Sequence, residues 1–178
     1  MATAKTDNTM DILNLQFTGL ENEQQLIIFT VGDEEFGLDV LRVQEIIRYT
    51  PPTKIPHGPA HVQGVINFRG EVIPVLNLRK KFGLPTVEYD GFKVIIVVEV
   101  SEKILGLLVD SVSDILNLPK EKIQDTPEFS SREKTRCLKA VGKFGKRLIF
   151  LLDLNKIMDL EEQELLEDII NEQEDELL

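Results

Sequence analysis

The chain consists of short apolar stretches rich in β-branched residues that are separated by turn residues, which is the pattern of strands joined by hairpins. Leu26–Val31 and Phe36–Val40 predict a first hairpin, and Val62–Phe68 with Val72–Leu78 predicts a second one. No strand is followed by the helix of about ten residues that a parallel crossover needs. The pattern therefore favours small antiparallel barrels over a parallel α/β sheet.

Two segments have helical spacing instead. Val43, Ile46 and Ile47 recur at i, i+3 and i+4, which predicts a short helix that ends before Pro51. Asp153–Leu178 carries an apolar stripe at the same spacing and predicts a C-terminal helix that lies on a barrel with its acidic face in water. The stripe consists of Ile157, Leu160, Leu165, Leu166, Ile169 and Ile170.

The first half of the chain recurs in the second half, which indicates an internal duplication. Leu26-Ile27-Ile28 recurs as Val94-Ile95-Ile96, and ordered matches follow at offsets of 69 and then 76 residues. The matched pairs are Gly37 with Gly106, Val43 with Val112, Ile46 with Ile115, Val65 with Val141, Phe68 with Phe144, Ile73 with Ile149 and Leu78 with Leu154. Each copy is too small to bury much core alone, so we expect the copies to pack together.

This organisation predicts a mainly β protein with two barrels from the duplication and a C-terminal helix. Four regions follow: a flexible N-terminal arm at 1–22, a first barrel subdomain at 23–90, a second barrel subdomain at 91–158, and an acidic helix or tail at 159–178.

The net charge of −11 is concentrated at one end of the chain. Ten acidic residues and no Lys or Arg lie in 159–178, which leaves the rest of the chain at −1. Neither part has the basic surface that nucleic acid or an anionic membrane requires. The longest nearly uninterrupted apolar run, Val94–Val100 with Glu99 inside it, is far shorter than the about 20 residues that cross a bilayer. The first 20 residues lack a signal-peptide pattern. We expect a cytoplasmic protein without membrane insertion.

Candidate catalytic chemistry is weak throughout the chain. It carries no nucleophile elbow, P-loop or dinucleotide-binding motif. His57 and His61 are four residues apart, but the surrounding Pro and Gly residues and the lack of a third ligand favour loop histidines over a metal pair. Cys137 is the single cysteine. The sequence shows no partner base that would activate its thiol, which favours a structural cysteine in a partly buried apolar position. We expect no enzyme activity, no cofactor and no metal.

Three strings of the sequence closely resemble the CheW family of chemotaxis coupling proteins. They are Gly32–Ile46, Val62–Arg79 with its Asn-x-Arg-Gly turn, and Gly106–Leu116, and the similarity runs from about Gln24 to Met158. The resemblance implies two intertwined five-stranded SH3-like barrels. It also implies a non-catalytic adaptor that links transmembrane chemoreceptors to the histidine kinase CheA. Its partners would be the receptor's cytoplasmic hairpin tip, held in a groove between the barrels, and the regulatory domain of CheA.

The resemblance also implies two sets of contact residues. The receptor-binding positions are Ile27, Val40, Val43, Glu45, Ile46, Gly64, Asn67 and Arg69. The kinase-binding positions, on the second barrel, are Val112, Ser113 and Ile115. Two other interpretations stay open from the residues alone, because Arg69 fits generic turn chemistry and the apolar receptor positions fit a core.

Two alternative functions are considered. The same domain occurs in CheA itself and in CheV, where it is fused to a receiver domain, but this chain is shorter than either fusion, which favours a stand-alone adaptor. Small β-barrels of another class bind nucleic acid through basic grooves and aromatic platforms. The aromatic content of 6% and the absence of Trp disfavour that class.

Overall fold

A computed structural model of the protein describes residues 22–87, 91–125 and 136–177, with side chains up to residue 172. The strands are β1 Glu23–Val31, β2 Glu34–Asp39, β3 Val43–Arg48, β4 Val62–Phe68, β5 Glu71–Asn77, β6 Val94–Val100, β7 Lys103–Val109, β8 Ser111–Pro119, β9 Ile123–Asp125, β10 Leu138–Phe144 and β11 Arg147–Leu152. The helices are α1 Leu78–Lys81 and α2 Leu160–Leu177, with 3-10 turns at Val40–Arg42, Lys120–Lys122 and Leu154–Lys156. The predicted mainly β fold with a C-terminal helix is confirmed. The predicted N-terminal arm falls outside the described residues, apart from its last residue.

The strands form two sheets, and each sheet takes strands from both copies of the duplication. Sheet 1 has the order β8-β1-β2-β11-β10-β9, and sheet 2 has the order β3-β6-β7-β5-β4. The first hairpin of each copy therefore belongs to the sheet that is completed by the other copy. The chain leaves sheet 1 at the 3-10 turn Val40–Arg42 and leaves sheet 2 at Asp110. Strands from both 23–90 and 91–158 thus contribute to each sheet, and the bounds of the two subdomains stay a prediction.

Each sheet contains one parallel strand pair, although the sequence predicted antiparallel barrels. β11 runs parallel to β2, with Phe150 opposite Phe36, and β5 runs parallel to β7, with Val75 opposite Gly106. In both cases the paired strands come from different copies, so the long connection that a parallel pair needs is supplied by the strands in between. A crossover helix is therefore not required.

The strand registers support the duplication, but they pair Leu26 with a different residue of the second copy than the sequence match did. Gly37 lies opposite Ile28, and its counterpart Gly106 lies opposite Val97. The offset of 69 therefore extends back through the whole hairpin, and the counterpart of Leu26 is Ile95, one residue later than the sequence match. In the second hairpins, Phe68 lies opposite Glu71 and Phe144 lies opposite Arg147, as the offset of 76 requires.

The short helix predicted from Val43, Ile46 and Ile47 is wrong, because these residues lie on strand β3. A bulge between Val43 and Glu45 interrupts the pairing of β3 with β6 and shifts the alternation of side chains by one residue. Apolar residues on a bulged strand can therefore have spacing that resembles a helix. Their β-branched side chains favour the extended conformation.

The apolar residues form three clusters. One lies within sheet 1 and contains Leu26, Ile28, Leu118, Ala140, Ile149 and Leu151. A second lies within sheet 2 and contains Phe68, Ile73, Val75, Ile95, Val97 and Leu108. The third and largest draws on both sheets and includes Phe29, Phe36, Leu76, Ile96, Leu107 and Cys137. This shared core is the reason that the two sheets pack as one body, and it buries Cys137 more fully than the sequence predicted.

Helix α2 begins at Leu160, later than the predicted start at Asp153, and the 3-10 turn Leu154–Lys156 lies in the segment before it. The Glu162 backbone N–H donates to Asp159 Oδ1 at 2.7 Å, so Asp159 caps the start of the helix. Leu166 is buried against the body, and Glu167 forms an ion pair with Lys103 of β7. Leu165 is 43% exposed, although the sequence placed it in the buried stripe. No helix in the described ranges is long and apolar enough to span a membrane.

Candidate functional site

The predicted receptor-binding residues are distributed over both sheets, and the structure brings two of them into contact. Arg69 is at the turn between β4 and β5, and Glu45 lies on β3. Arg69 Nη2 is 3.3 Å from Glu45 Oε2. Because β3 and β4 are the outer strands of sheet 2, this contact means that the sheet curls until its two edges meet.

The Arg69 side chain is held at the tip of its hairpin by the geometry of the turn. Arg69 has a φ of 51°, and Gly70, which follows, has a φ of 85°. Asn67 Oδ1 accepts a hydrogen bond of 3.0 Å from the Gly70 N–H, which ties the turn together. The Arg69 guanidinium carbon lies 4.9 Å from the centroid of the Phe68 ring, a cation–π distance. The side chain is nevertheless 66% exposed, so its remaining donors face solvent.

The equivalent hairpin of sheet 1 also carries an arginine, at the position that corresponds to Glu71, and this side chain is held much more tightly. Arg147 begins β11 and donates to Glu35 through Nε at 3.0 Å and Nη2 at 2.7 Å. It also donates to Asp114, the counterpart of Glu45, at 3.0 and 3.1 Å. These hydrogen bonds, those to Glu35 first, raise the pKa of Arg147, and the Arg147 bonds lower the pKa of the Asp114 carboxyl. The two copies thus differ, since Arg147 links three strands whereas Arg69 has one weak ion pair.

The structure requires a glycine at position 64. Its φ is +153°, and a Cβ atom there would lie 2.3 Å from the carbonyl oxygen of Thr53. Thr53 exchanges two backbone hydrogen bonds with Val65, at 2.8 and 2.9 Å. The buried Gly64 therefore lets this segment approach β4, and it has no side chain to offer a partner.

The apolar members of the receptor set differ in exposure. Ile27 is 4% exposed and Ile46 is 40% exposed, while Val40 and Val43 are half-buried. Ile27 is therefore a core residue, and its side chain is not available to a partner in this structure. Ile46 is not a core residue, because its side chain is exposed. Val43 packs against the core shared by the two sheets, so it has both a packing role and a partly open surface.

The three predicted kinase-binding residues lie on β8, and their side chains also differ in exposure. Val112 is half-buried and packs against the shared core. Ser113 is exposed, and its hydroxyl lies 2.9 Å from Asp114 Oδ1 and 3.3 Å from the carbonyl oxygen of Ile28. Ile115 is 56% exposed. Ile115 and Ser113 are therefore the members of this set with accessible side chains.

Several exposed or interacting residues near these sets were not predicted. Leu41 is 86% exposed in the 3-10 turn that carries Val40, and its apolar side chain beside a candidate residue was the available signal. Phe144 and Leu148 are exposed on the β10–β11 hairpin, where the repeat pointed to the counterpart of the Arg69 turn. The Phe68 ring under Arg69 adds a further member.

His61, one of the two histidines considered as a metal pair, contacts helix α2. His61 Nε2 lies 2.6 Å from Glu162 Oε2 at the start of α2, and the buried Lys81 Nζ lies 3.8 Å from the same oxygen. These groups connect α2 to the body. Across the described ranges, no group of three or more His, Cys, Asp or Glu side chains could hold a metal ion.

The chain is thus a two-sheet β protein with exposed apolar side chains on the outer strands β3 and β8. The model of the CheW-like domain matches residues 25–162 of this chain. The chain therefore belongs to the CheW-like domain family.

Individual relatives agree with this assignment over most of their length. Chemotaxis protein CheW of Klebsiella aerogenes is 40% identical over 146 residues, which cover 82% of this chain and 88% of the relative. Probable chemotaxis protein CheW of Rhizobium etli is 40% identical over 144 residues, covering 81% and 93%. The crystal structure of the scaffolding protein TtCheW from Thermoanaerobacter tengcongensis matches with a TM-score of 0.73 and 28% identity, covering 79% of this chain and 95% of that one.

Proposed function

We propose that this chain is a non-catalytic scaffold of bacterial chemotaxis that couples chemoreceptors to the histidine kinase CheA. Its partners are the cytoplasmic hairpin tip of the receptors and the regulatory domain of CheA, and it works in the cytoplasm at membrane-associated receptor arrays. Family membership and the names of its relatives support this role.

The observation that carries the proposal is the exposed Arg69 guanidinium. A planar group with five donors suits recognition of carboxylates and carbonyls on a partner. Arg69 keeps most of this capacity, because its one ion pair in the described part of the chain is long and exposed. Exposed pairs of this kind contribute only about 0–1 kcal/mol to stability, so Glu45 can hold the side chain in position without preventing a new contact.

The second supporting feature is an exposed apolar side chain on the strand that carries Glu45. Glu45 and Ile46 are consecutive on β3, so their side chains point to opposite faces of sheet 2, and Ile46 is the most exposed of the apolar receptor-set residues. Because β3 is an outer strand, a partner that reaches around this edge can contact both Ile46 and the Arg69 side. We assign Ile46, Glu45 and Arg69 to the receptor contact, and Ile115 with Ser113 to the kinase contact.

The test measures binding of the purified chain to a receptor signalling-tip fragment and to the CheA regulatory domain, separately and together. We expect binding to each partner and a ternary complex when both are present. The Ile46→Asp variant should lose affinity for the receptor fragment by about tenfold or more and keep its affinity for CheA. Absence of binding to both partners, or retention on single-stranded DNA at low salt, would contradict the scaffold function.

A further inference from the structure

A groove separates helix α2 from sheet 2, and none of the candidate receptor or kinase residues lines it. Its volume is about 530 Å³, within the roughly 300–1,000 Å³ range of sites that bury a ligand. One wall is α2, and the other is the β6–β7 turn with the adjacent part of β5. The apolar lining includes Val72, Pro74, Ile104, Met158, Leu166 and Ile170.

This groove is underpacked compared with the rest of the protein. Leu166 is the one fully buried residue of α2 in its described part, whereas Val72, Ile104 and Ile170 around the groove are only half-buried. Protein interiors are close-packed, whereas these half-buried side chains keep part of their apolar surface exposed to solvent. Several apolar side chains therefore remain available to an occupant.

The rim of the groove is acidic. Glu71 and Glu102 line it, and neither forms an ion pair in the described part of the chain. Glu167 also lines it but is paired with Lys103, the one cation in the lining. Helix α2 itself supplies no Lys or Arg. An occupant that places Lys or Arg side chains at this rim gains favourable Coulomb energy, and an acidic occupant is repelled.

We propose that this groove is a docking site for a basic, amphipathic segment of another protein. Apolar side chains of the segment would fill the space between α2 and sheet 2, and its Lys or Arg side chains would pair with Glu71 and Glu102. The lining of the groove does not include Arg69, Ile46 or Ile115, although Glu71 is two residues from Arg69 at the β4–β5 turn.

The probe is a short fluorescein-labelled peptide of Leu and Lys at helical spacing, compared with the same peptide carrying Glu in place of Lys. Binding to the full chain is followed by fluorescence anisotropy near 0.15 M salt, where the Debye length is about 8 Å. We expect the Lys peptide to bind at least about tenfold more tightly than the Glu peptide. Asn171→Trp, which fills one end of the groove, should weaken binding by a similar factor.

A matched pair of variants separates docking in the groove from attraction to the acidic helix. Glu71→Lys with Glu102→Lys changes the rim, and Glu161→Lys with Glu164→Lys makes the same change of net charge on exposed positions of α2 that do not line the groove. We expect about a tenfold loss for the rim variant and less than about threefold for the outer variant. Equal losses would overturn the proposal.

Methyl NMR of the unmodified chain gives a second readout that does not depend on a variant that folds. The Lys peptide should shift the methyl resonances of Ile104 and Ile170 and leave those of Ile46 and Ile115 in place. Shifts confined to Ile46 and Ile115 would overturn the groove assignment. They would at the same time leave the scaffold function intact, so the two proposals can fail independently.

Discussion

Ile27 of β1 lies directly opposite Ile115 of β8 in the antiparallel ladder of sheet 1. Opposed residues in such a ladder point to the same face of the sheet. Ile27 is 4% exposed and Ile115 is 56% exposed, so the exposed residue lies next to the buried one on this face. One residue that the sequence assigned to the receptor and one that it assigned to the kinase are therefore neighbours.

The duplication repeats this arrangement in sheet 2. Ile46 lies opposite Ile96, and these are the counterparts of Ile115 and Ile27 at an offset of 69. Ile96 is fully buried, and Ile46 is exposed. The molecule thus presents two equivalent exposed isoleucines, one on each sheet, which suits a scaffold that contacts two different partners.

The first prediction compares Ile115→Asp with Val112→Asp. Ile115 is exposed, so the aspartate is hydrated and the free energy of unfolding should change by less than about 1 kcal/mol. Affinity for the CheA regulatory domain should fall at least tenfold, about 1.4 kcal/mol. Val112→Asp places a charge against the shared core and should lose at least about 2 kcal/mol of stability. Denaturant melts and calorimetry measure both effects. A normal melt for Val112→Asp would contradict its assignment to the core.

The second prediction compares Arg69→Ala with Arg147→Ala. Removing Arg69 breaks one exposed ion pair, so stability should change by about 0.5 kcal/mol or less. Kinase activation in a reconstituted mixture of receptor, scaffold and CheA should nevertheless fall. Arg69→Lys should recover only part of this activation, because a point charge does not replace the planar fork.

The control for Arg69 is Arg147, the arginine of the equivalent hairpin in sheet 1. Arg147→Ala leaves the carboxylates of Glu35 and Asp114 without their shared partner, and it should cost about 1–2 kcal/mol of stability. If the Arg69 variant melted normally and activated CheA normally, Arg69 would not be a coupling residue. If Arg147→Ala melted normally, the contrast between the two copies would have no energetic basis.

The sequence predicted the fold class and the main hairpins because these depend on local patterns. Alternating β-branched residues and turn residues set the strands, and the repeat set their correspondence. The exchange of hairpins between the sheets was not visible in the residues, since Phe36 and Phe150 become neighbours through pairing across 114 positions of the chain. It entered only through the family resemblance.

The sequence did not predict the exposure of the candidate site residues. Ile27 and Ile46 have the same residue type and similar sequence surroundings, yet one is buried and the other is open. The difference arises because Ile27 is on a strand between two others and Ile46 is on an outer strand. Sheet order is a tertiary property that a single sequence pattern does not contain. The contact of Arg69 with Glu45 similarly required the curl of the sheet.

The third prediction concerns the pH dependence of stability. Asp110 accepts hydrogen bonds from Arg79 Nε and Nη2, both at 2.7 Å, and from the Gly32 N–H at 2.8 Å. Burial raises the pKa of this carboxyl, but the hydrogen bonds from Arg79 and Gly32 outweigh burial and hold the pKa below the ordinary value of 3.8. The stabilisation is therefore present above pH 3.8 and is lost as the pH falls through the lower, folded-state pKa.

The measurement for this prediction is the free energy of unfolding of the wild type and of Asp110→Asn between neutral pH and strongly acidic pH. The variant should be less stable at neutral pH, and the difference should narrow once the pH falls below the ordinary value of 3.8. A difference that stayed constant over the whole range would show that the Asp110 charge contributes nothing to folding.

The fourth prediction compares two glycines. Gly64→Ala places a Cβ atom against the Thr53 carbonyl oxygen and should cost more than about 2 kcal/mol, because the bridge between Thr53 and Val65 must open. Gly70→Ala meets no atom within 4 Å, so it should cost only the left-handed strain of about 1 kcal/mol. Equal costs in thermal melts would show that the close approach at Gly64 is not what requires glycine.

The last prediction uses the turn between β6 and β7. Val100 pairs with Lys103, so the loop has two residues, Ser101 and Glu102, whose φ angles are 49° and 67°. This is the turn type for which Asn-Gly is the preferred sequence, and left-handed φ costs a residue with a Cβ about 1 kcal/mol or more. Ser101→Asn with Glu102→Gly should therefore raise the free energy of unfolding by about 1 kcal/mol.

The counterpart of Ser101 supports this reasoning and supplies its control. The equivalent position in the β1–β2 turn is Gly32, with a φ of 64°, where a Cβ atom would lie 3.0 Å from Leu84 Cδ1. Gly32→Ser should therefore destabilise the protein, while the Asn-Gly replacement at Ser101 and Glu102 stabilises it. Denaturant melts of the two variants should show changes of opposite sign in the free energy of unfolding. A loss of stability in the Asn-Gly variant would mean that Ser101 and Glu102 make favourable contacts that exceed the strain of their backbone.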